Sequence, residues 1–98
     1  MSKAAINMFT KCMATELGPK GIRVNAIGPG VVRTNISKAN GFTDEEYDQF
    51  LDSFAQKYPL GRIGDPGDIA NTVGYLASSQ ANFITGAIVA VDGGDLVV

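Results

Sequence analysis

The segment that most constrains the fold is an uninterrupted run of β-forming apolar residues near the end of the chain, Ala87–Val91. Strands without polar alternation are typical of parallel sheets, which are covered on both faces. The run leads directly into Asp92–Gly94, a combination that favours a turn. We therefore predict a strand that is buried on both faces and ends at this turn.

A second strand is predicted at Ile22–Ile27, because Ile22, Val24 and Ala26 occupy alternate positions and would share one face. Gly28–Gly30, with a proline in the middle, predicts a turn immediately after this strand. In an open α/β sheet, ligands bind beyond the carboxyl ends of the strands. The turn after the second strand is therefore a candidate ligand-binding segment.

The first helix is predicted at Ser2–Leu17, ended by Gly18 as a left-handed cap and by Pro19. Its apolar stripe follows three- and four-residue steps: Ala5, Phe9, Cys12, Met13 and Leu17. On this stripe we expect Cys12 to be a buried, inert thiol. The small and flexible side chains of the helix suit packing within one chain or contact with a helix of another subunit. Both interpretations stay open.

Another helix is predicted to begin at Thr43, which forms a capping box with Glu46 three residues later. Phe42 and Tyr47 have the spacing of a hydrophobic staple across this helix start. Pro59 ends the pattern. The apolar face of this helix is mostly aromatic: Tyr47, Phe50, Leu51, Phe54, Ala55 and Tyr58. Its opposite face is acidic and is expected to be solvated.

The last predicted helix opens with Asp65 as N-cap, Pro66 at the first position and Asp68 reaching back to the helix start. One stripe is expected to be buried: Ile69, Val73, Leu76 and Ala77. The resulting order is helix, strand, helix, helix, strand, which is the alternation of a parallel α/β sheet. With 98 residues, the chain has room for one domain at most.

Composition excludes several classes of function. The chain has no histidine and a single cysteine, which argues against a metal site and excludes histidine-based nucleophilic catalysis within these residues. The net charge of −2, without a basic run, argues against a nucleic-acid or membrane partner. No apolar stretch reaches the roughly 20 residues needed to span a bilayer. We expect a soluble protein, and its compartment, cytoplasmic or organellar, stays open.

Taken in order, the motifs of this chain resemble those of the classical short-chain dehydrogenase/reductases over nearly its whole length. The matching segments are Ser2–Ala5, Ile22–Ala26, Pro29–Gly30 with Thr34, Pro59–Arg62, Ile84–Gly86 and Asp92–Gly94. The resemblance implies that residues 1–98 are the C-terminal portion of a single domain with a doubly wound, parallel-sheet Rossmann fold that binds NAD or NADP. It further implies hydride transfer between that cofactor and an alcohol or carbonyl substrate, in a homodimer or homotetramer.

Lys3 matches the lysine of the family's Tyr-x-x-x-Lys pair. The family's tyrosine would stand four residues earlier, before Met1, and its glycine-rich phosphate loop would also lie outside these residues. A nearby cation favours the phenolate form of a tyrosine and so lowers its pKa. The resemblance therefore makes Lys3 a catalytic residue that also binds the cofactor's ribose. Without that context, Lys3 would be interpreted as a solvated surface lysine.

The resemblance also implies that Pro29, Gly30, Val32 and Thr34 bind the cofactor. Proline stiffens the turn, and glycine allows a flat ring to approach the backbone. The backbone of Val32 and the hydroxyl of Thr34 would hold the nicotinamide carboxamide. The competing interpretation is a structural turn in which Thr34 caps the following segment. Because Arg33 occupies the third glycine position, Gly28–Arg33 is not a Rossmann phosphate loop.

Residues 35–58 correspond to the family's substrate-binding loop region. Most aromatic residues there are expected to pack internally, with one or two facing an apolar pocket. By themselves the 98 residues are expected to be inactive. The alternative is a catalytically silent relative, or a truncated product that acts in subunit association. The substrate, the choice between NAD and NADP and the direction of the reaction do not follow from the sequence.

Overall fold

The computed structural model describes residues 2–34, 41 and 43–97. Its elements follow the order α1, β1, α2, α3 and β2, with short 3-10 turns between some of them, so the predicted order is confirmed. Their bounds are α1 Lys3–Leu17, β1 Ala26–Pro29, α2 Asp44–Ala55, α3 Pro66–Ala77 and β2 Ile88–Val91. None of the helices in this part of the chain is long and apolar enough to cross a membrane.

The two strands pair in parallel. The N–H of Ala26 donates to the carbonyl of Ala87 (2.9 Å), and the N–H of Gly30 donates to the carbonyl of Val91 (3.1 Å). Between these bonds both strands advance by four residues in the same direction, which is the register of a parallel pair. The predicted α/β class with a parallel sheet is confirmed.

The chain divides into two compact units. The first combines Met1–Gly28 with Asn71–Val89, and the second combines Pro29–Ala70 with Ala90–Val98. Among the described residues, the buried side chains of the first unit are Thr10, Ala14 and Ala81, and those of the second are Tyr47, Leu51 and Tyr58.

The predicted strand at Ile22–Ile27 is displaced along the chain. In the structure β1 begins at Ala26 and continues through Gly28 and Pro29, which the sequence assigned to a turn. The side chain of Asn25 explains the late start: its Oδ1 accepts the N–H of Ala87 at 3.0 Å. Because this amide takes the place of a backbone partner, the ladder begins only after it, although the apolar alternation begins earlier.

Arg23, on the segment before β1, caps the carboxyl end of α3. Its Nη1 donates to the carbonyl of Leu76 at 2.6 Å and to that of Ile84 at 3.4 Å. Its Nη2 donates to the carbonyl of Ser78 at 3.3 Å. The carbonyls at a helix end lack intrahelical partners and carry partial negative charge, so a guanidinium stabilises them.

We expect Arg23→Met to lower the free energy of unfolding of the whole protein by about 2–3 kcal/mol, because charge-assisted bonds to part-buried carbonyls are lost. Urea denaturation measures this. Arg33→Met is the matched control: Arg33 pairs with Asp48 at the surface, with side chains 50% and 58% exposed, so its loss costs at most about 1 kcal/mol. Equal losses in the two variants would show that the Arg23 cap contributes no more than a surface ion pair.

Both ends of α1 agree with the prediction, but the left-handed cap expected at Gly18 is wrong. Ser2 caps the helix, since its Oγ accepts the N–H of Ala5 at 3.2 Å. Gly18, however, is right-handed (φ −53°), and the left-handed residue is Gly21 (φ +75°). Between them Gly18–Lys20 forms a 3-10 turn. The fixed φ of a proline fits such a turn, and the α-helix itself ends at Leu17, before Pro19, as predicted.

The buried face of α1 also differs from the predicted stripe. Thr10 and Ala14 are buried, whereas Phe9 is 60% exposed and Cys12 is exposed, so the expectation of a buried thiol is wrong. Thr10 can be buried because its hydroxyl donates to the carbonyl of Ile6 at 2.9 Å within the helix. A polar residue whose hydroxyl bonds within its own helix can be buried, and an apolar pattern does not predict its burial.

The predicted cap of α2 is confirmed. The Oγ1 of Thr43 accepts the N–H of Glu46 and donates to its carboxylate, both at 3.1 Å. The other half of the staple, Phe42, lies outside the described residues, as do residues 35–40. On the aromatic face Leu51 is buried but Phe50 is exposed. The helix ends at Ala55, before the proline expected to end it.

The start of α3 follows the prediction: Pro66 is its first residue, and Oδ2 of Asp68 reaches back to the N–H of Asp65 at 2.8 Å. The predicted burial is wrong, because no residue of this helix is buried. Its apolar stripe lines a groove of about 550 Å³ together with residues from β1 and the segment before it: Gly21, Arg23, Asn25, Ile27, Val73, Leu76 and Ala77.

β2 confirms the predicted strand, one residue shorter at its start, but its burial differs from the prediction. Ala90 is exposed, and the other three side chains of β2 are partly buried. The composition of a strand indicates which surfaces it can bury, and burial itself depends on the layers packed on the sheet.

Candidate functional site

Residues 29–34 lead away from the carboxyl end of β1 and carry four of the five predicted site residues. Pro29 is the last residue of β1 and is exposed. Gly30 stays attached to the end of the sheet through its bond to Val91. Val32 and Thr34 follow within the same unit. The structure therefore brings Pro29, Gly30, Val32 and Thr34 together in one short segment.

Gly30 is closely packed by its neighbours. A Cβ on this residue would lie 3.0 Å from both Cα and Cβ of Asp92 and 3.2 Å from the hydroxyl of Tyr58. The first of these neighbours is backbone, which cannot rotate away. Internal packing alone therefore favours glycine here, in addition to the role that the resemblance implies.

Val32 forms an isolated parallel bridge with Gly64. The bonds of this bridge come from its neighbours: Gly64 donates to the carbonyl of Val31, and Arg33 donates to the carbonyl of Gly64, both at 2.9 Å. Peptide groups of successive residues point to opposite edges of an extended chain. The N–H and C=O of Val32 therefore point to the edge away from Gly64, and neither bonds to the described part of the chain.

Two tyrosine hydroxyls hold the ends of the segment that contains Val32. The N–H of Val31 donates to the hydroxyl of Tyr58, and the N–H of Thr34 donates to the hydroxyl of Tyr47, both at 3.0 Å. Sequence reasoning placed both tyrosines among packing residues and missed these bonds. The available signal was chemical: a buried tyrosine needs a hydrogen-bond partner for its hydroxyl.

The environment of Tyr47 favours its phenolate. The pKa of Tyr47 is lowered, first by the backbone N–H of Thr34 and then by the Thr34 side chain, with a smaller contribution from Arg33. The guanidinium of Arg33 lies 5.9 Å from the centre of the Tyr47 ring. Hydrogen bonds donated to the phenol oxygen and a nearby cation both favour the charged form of a tyrosine.

Gly64, the bridge partner of Val32, lies in the chain between Arg62 and Asp68, which form a bidentate ion pair with distances of 2.9 and 3.3 Å. The Arg62 guanidinium, together with the N–H of Asp65, lowers the pKa of Asp68 to about 2. The pair therefore stays ionised throughout the neutral range. It joins the strand-like segment that faces Val32 to the first turn of α3.

Asp92–Gly94 supports the other side of Gly30. Gly93 and Gly94 both have positive φ (+63° and +95°), which favours glycine at each position. The Oδ1 of Asp92 accepts the N–H of Gly94 at 3.0 Å, and the carbonyl of Gly93 accepts the N–H of Leu60 at 3.0 Å. The predicted turn after β2 is confirmed, and it places Asp92 directly against Gly30.

Lys3, the fifth predicted site residue, lies in the first unit, on the first turn of α1, and its side chain is exposed. Within the described residues its ammonium has no ion-pair partner. In the same part of the chain, no group of acidic or cysteine side chains could hold a metal ion.

Comparison with known proteins gives the same family throughout. Residues 1–95 match the model of a family described as enoyl-(acyl carrier protein) reductase. Versicolorin reductase 1 of Aspergillus parasiticus is 43% identical over 102 residues, which cover 95% of this chain and 38% of that protein. The chain thus spans well under half of the length of this relative.

Two solved structures have the same fold and carry cofactors. A short-chain dehydrogenase/reductase from Caenorhabditis elegans, solved with cofactor, is 36% identical with a TM-score of 0.85, covering 98% of this chain and 37% of that one. A 4-hydroxyisoleucine dehydrogenase mutant complexed with NADH and succinate is 38% identical with a TM-score of 0.81, covering 98% and 38%. The chain therefore belongs to the short-chain dehydrogenase/reductase family.

Proposed function

We propose that the whole protein transfers a hydride between NAD or NADP and an alcohol or carbonyl substrate, and that residues 1–98 are the C-terminal portion of its single domain. Within this chain, residues 29–34 hold the nicotinamide. The observation that carries the proposal is the outward edge of Val32, which offers one donor and one acceptor side by side.

The chemistry of this edge fits a carboxamide. A carboxamide has a carbonyl acceptor and an NH₂ donor, which complement the N–H and C=O of one extended residue. Thr34 follows two residues later, and its hydroxyl is of a type that can accept from the same NH₂ group. When bound, the nicotinamide supplies the hydride chemistry, and these residues orient the ring.

Lys3 has a different role. Its ammonium carries three donors, which suit the hydroxyls of the nicotinamide ribose. By resemblance it also lowers the pKa of a tyrosine one helical turn earlier, so that the tyrosine exchanges a proton with the substrate near neutral pH. Lys3 is thus proposed to be both a catalytic and a cofactor-binding residue.

Residues 35–58 are proposed to line the substrate site. Two of the three similar proteins act, by their names, on versicolorin and on 4-hydroxyisoleucine, which are chemically unlike. The shared part of the site therefore fits the cofactor, and the proposed substrate class is an alcohol or carbonyl compound of small molecular size.

Thr34→Val tests the carboxamide site in the whole protein. Valine keeps the shape of threonine but cannot bond to an amide, so we expect the KM and Kd for the dinucleotide to rise about tenfold, with the melting temperature nearly unchanged. Thr15→Val is the control, since the exposed Thr15 hydroxyl bonds only within its own helix, to Lys11. A collapsed melting temperature with unchanged cofactor affinity would instead make Thr34 a structural cap.

The 98 residues by themselves contain no glycine-rich phosphate loop and no tyrosine before Lys3. We therefore propose that this polypeptide alone neither binds the dinucleotide tightly nor turns over substrate. Calorimetric titration measures this, and micromolar binding would contradict it.

The exposed apolar side chains of α1 favour association with a second copy of the chain. Ile6, Met8 and Phe9 are exposed there, alongside the small residues Ala4 and Ala5. We propose that the whole protein is a homodimer or homotetramer that uses α1 as a contact surface. Light scattering measures its oligomeric state. Assembly without any turnover would favour the alternative of a catalytically silent relative.

A further inference from the structure

The proposed carboxamide site depends on a segment that has little regular secondary structure of its own. Among residues 31–34, only Val32 pairs as a strand residue does, through its single bridge to Gly64. That bridge fixes one edge of the segment. The N–H groups of Val31 and Thr34 are fixed separately, by the hydroxyls of Tyr58 and Tyr47.

Both tyrosines are well anchored. Tyr58 is 5% exposed and Tyr47 is 8% exposed. The Tyr58 ring packs against the turn after β2, where a Cβ on Gly93 would lie 3.3 Å from its Cδ2. Tyr47 is held on the first turns of α2, beside the capping box. Their hydroxyls are therefore rigid acceptors, and each bond restrains the peptide that it receives.

The two tyrosines also lie close to each other in the sequence. Tyr47 lies on α2 and Tyr58 lies three residues after its end. One helix and its following turn thus hold both ends of the segment that presents Val32. This helix belongs to residues 35–58, the region proposed to bind substrate. The proposed substrate region therefore supports residues 29–34, which are proposed to bind the cofactor.

We propose that Tyr47 and Tyr58 are positioning residues for the nicotinamide: their hydroxyls hold residues 31–34 so that the outward edge of Val32 meets the carboxamide. This inference rests on the proposed function. Removing either hydroxyl leaves a backbone N–H without its partner and lets the segment move. The expected consequence is weaker binding of the nicotinamide half, with the adenosine half unaffected.

The test uses three single variants of the whole protein, Tyr47→Phe, Tyr58→Phe and Tyr75→Phe. Tyr75 is the matched control, because it is 48% exposed on α3. For each variant, Kd is measured for NADH and NADPH by fluorescence, and for ADP-ribose and its 2′-phosphate by calorimetry. We expect Tyr47→Phe and Tyr58→Phe to raise Kd for the reduced dinucleotide about tenfold and to leave Kd for the ADP-ribose ligand unchanged. Tyr75→Phe should change neither.

The other outcomes separate two failures. If the wild-type protein binds neither reduced dinucleotide more tightly than the corresponding ADP-ribose, the proposed function fails and this inference fails with it. If the wild type discriminates and both folded variants bind as it does, only the positioning role is wrong. If Kd rises equally for the reduced dinucleotide and for the ADP-ribose ligand, the two tyrosines have only a structural role. Should Tyr58→Phe not fold, Tyr47→Phe decides alone, because its hydroxyl lies at the other end of the segment.

Discussion

In the whole protein, Lys3→Ala is expected to lower kcat/KM by about 10²- to 10⁴-fold, the range for loss of efficient acid–base catalysis. The cation that favours the phenolate of the preceding tyrosine is lost together with the donors to the ribose. The tyrosine pKa rises, so the pH–rate profile should move to higher pH. Steady-state kinetics between neutral and alkaline pH measure both effects.

Folding should be unaffected by this change, because the Lys3 side chain is exposed. Lys11→Ala is the matched control: it removes another exposed lysine from the same helix and should leave both the rate and the pH profile unchanged. Near-normal turnover and an unchanged pH profile in Lys3→Ala would show that Lys3 is only a surface lysine.

Gly94→Ala is expected to lower the free energy of unfolding of the whole protein by about 2–4 kcal/mol. Gly94 has a φ of +95°, where a side chain is strained, and its Cβ would lie 2.7 Å from Cγ of Pro59. The proline ring cannot rotate away as a flexible side chain could. Denaturant unfolding measures the loss.

The control for this substitution is Gly74→Ala. Gly74 lies within α3, and a Cβ there would meet nothing within 4 Å. Alanine favours a helix over glycine by up to about 1 kcal/mol, so this variant should be slightly stabilised. Similar losses in both variants would mean that neither the backbone conformation nor the contact with Pro59 is important at Gly94.

Local signals predicted the elements of this fold better than their burial. Capping residues such as Ser2, Thr43 and Asp68 act within a few residues, so the helix starts could be derived from sequence. The exposure of Phe9 and of the α3 stripe could not be derived in this way, since burial depends on what packs against a helix. The start of β1 also escaped prediction, because the Asn25 side chain takes the place of a ladder bond.

The candidate site shows the same division. Motif order pointed to residues 29–34, and the structure brings them into one segment. The supports of that segment are long-range: Tyr58 bonds to Val31 across 27 residues, and Asp92 packs on Gly30. No local pattern identifies such partners. Their identity follows from geometry, combined with the rule that buried hydroxyls and close-packed glycines have specific neighbours.

The amide resonance of Val32 reports directly on whether its outward edge binds the nicotinamide carboxamide. In the ¹⁵N-labelled whole protein, the Val32 N–H signal should shift on titration with the reduced dinucleotide and stay in place with the ADP-ribose ligand, which lacks the nicotinamide. The Gly64 N–H, which is bonded to Val31, serves as an internal reference and should move much less. A Val32 signal that ignores the dinucleotide at saturation, or that shifts equally with both ligands, would contradict the account.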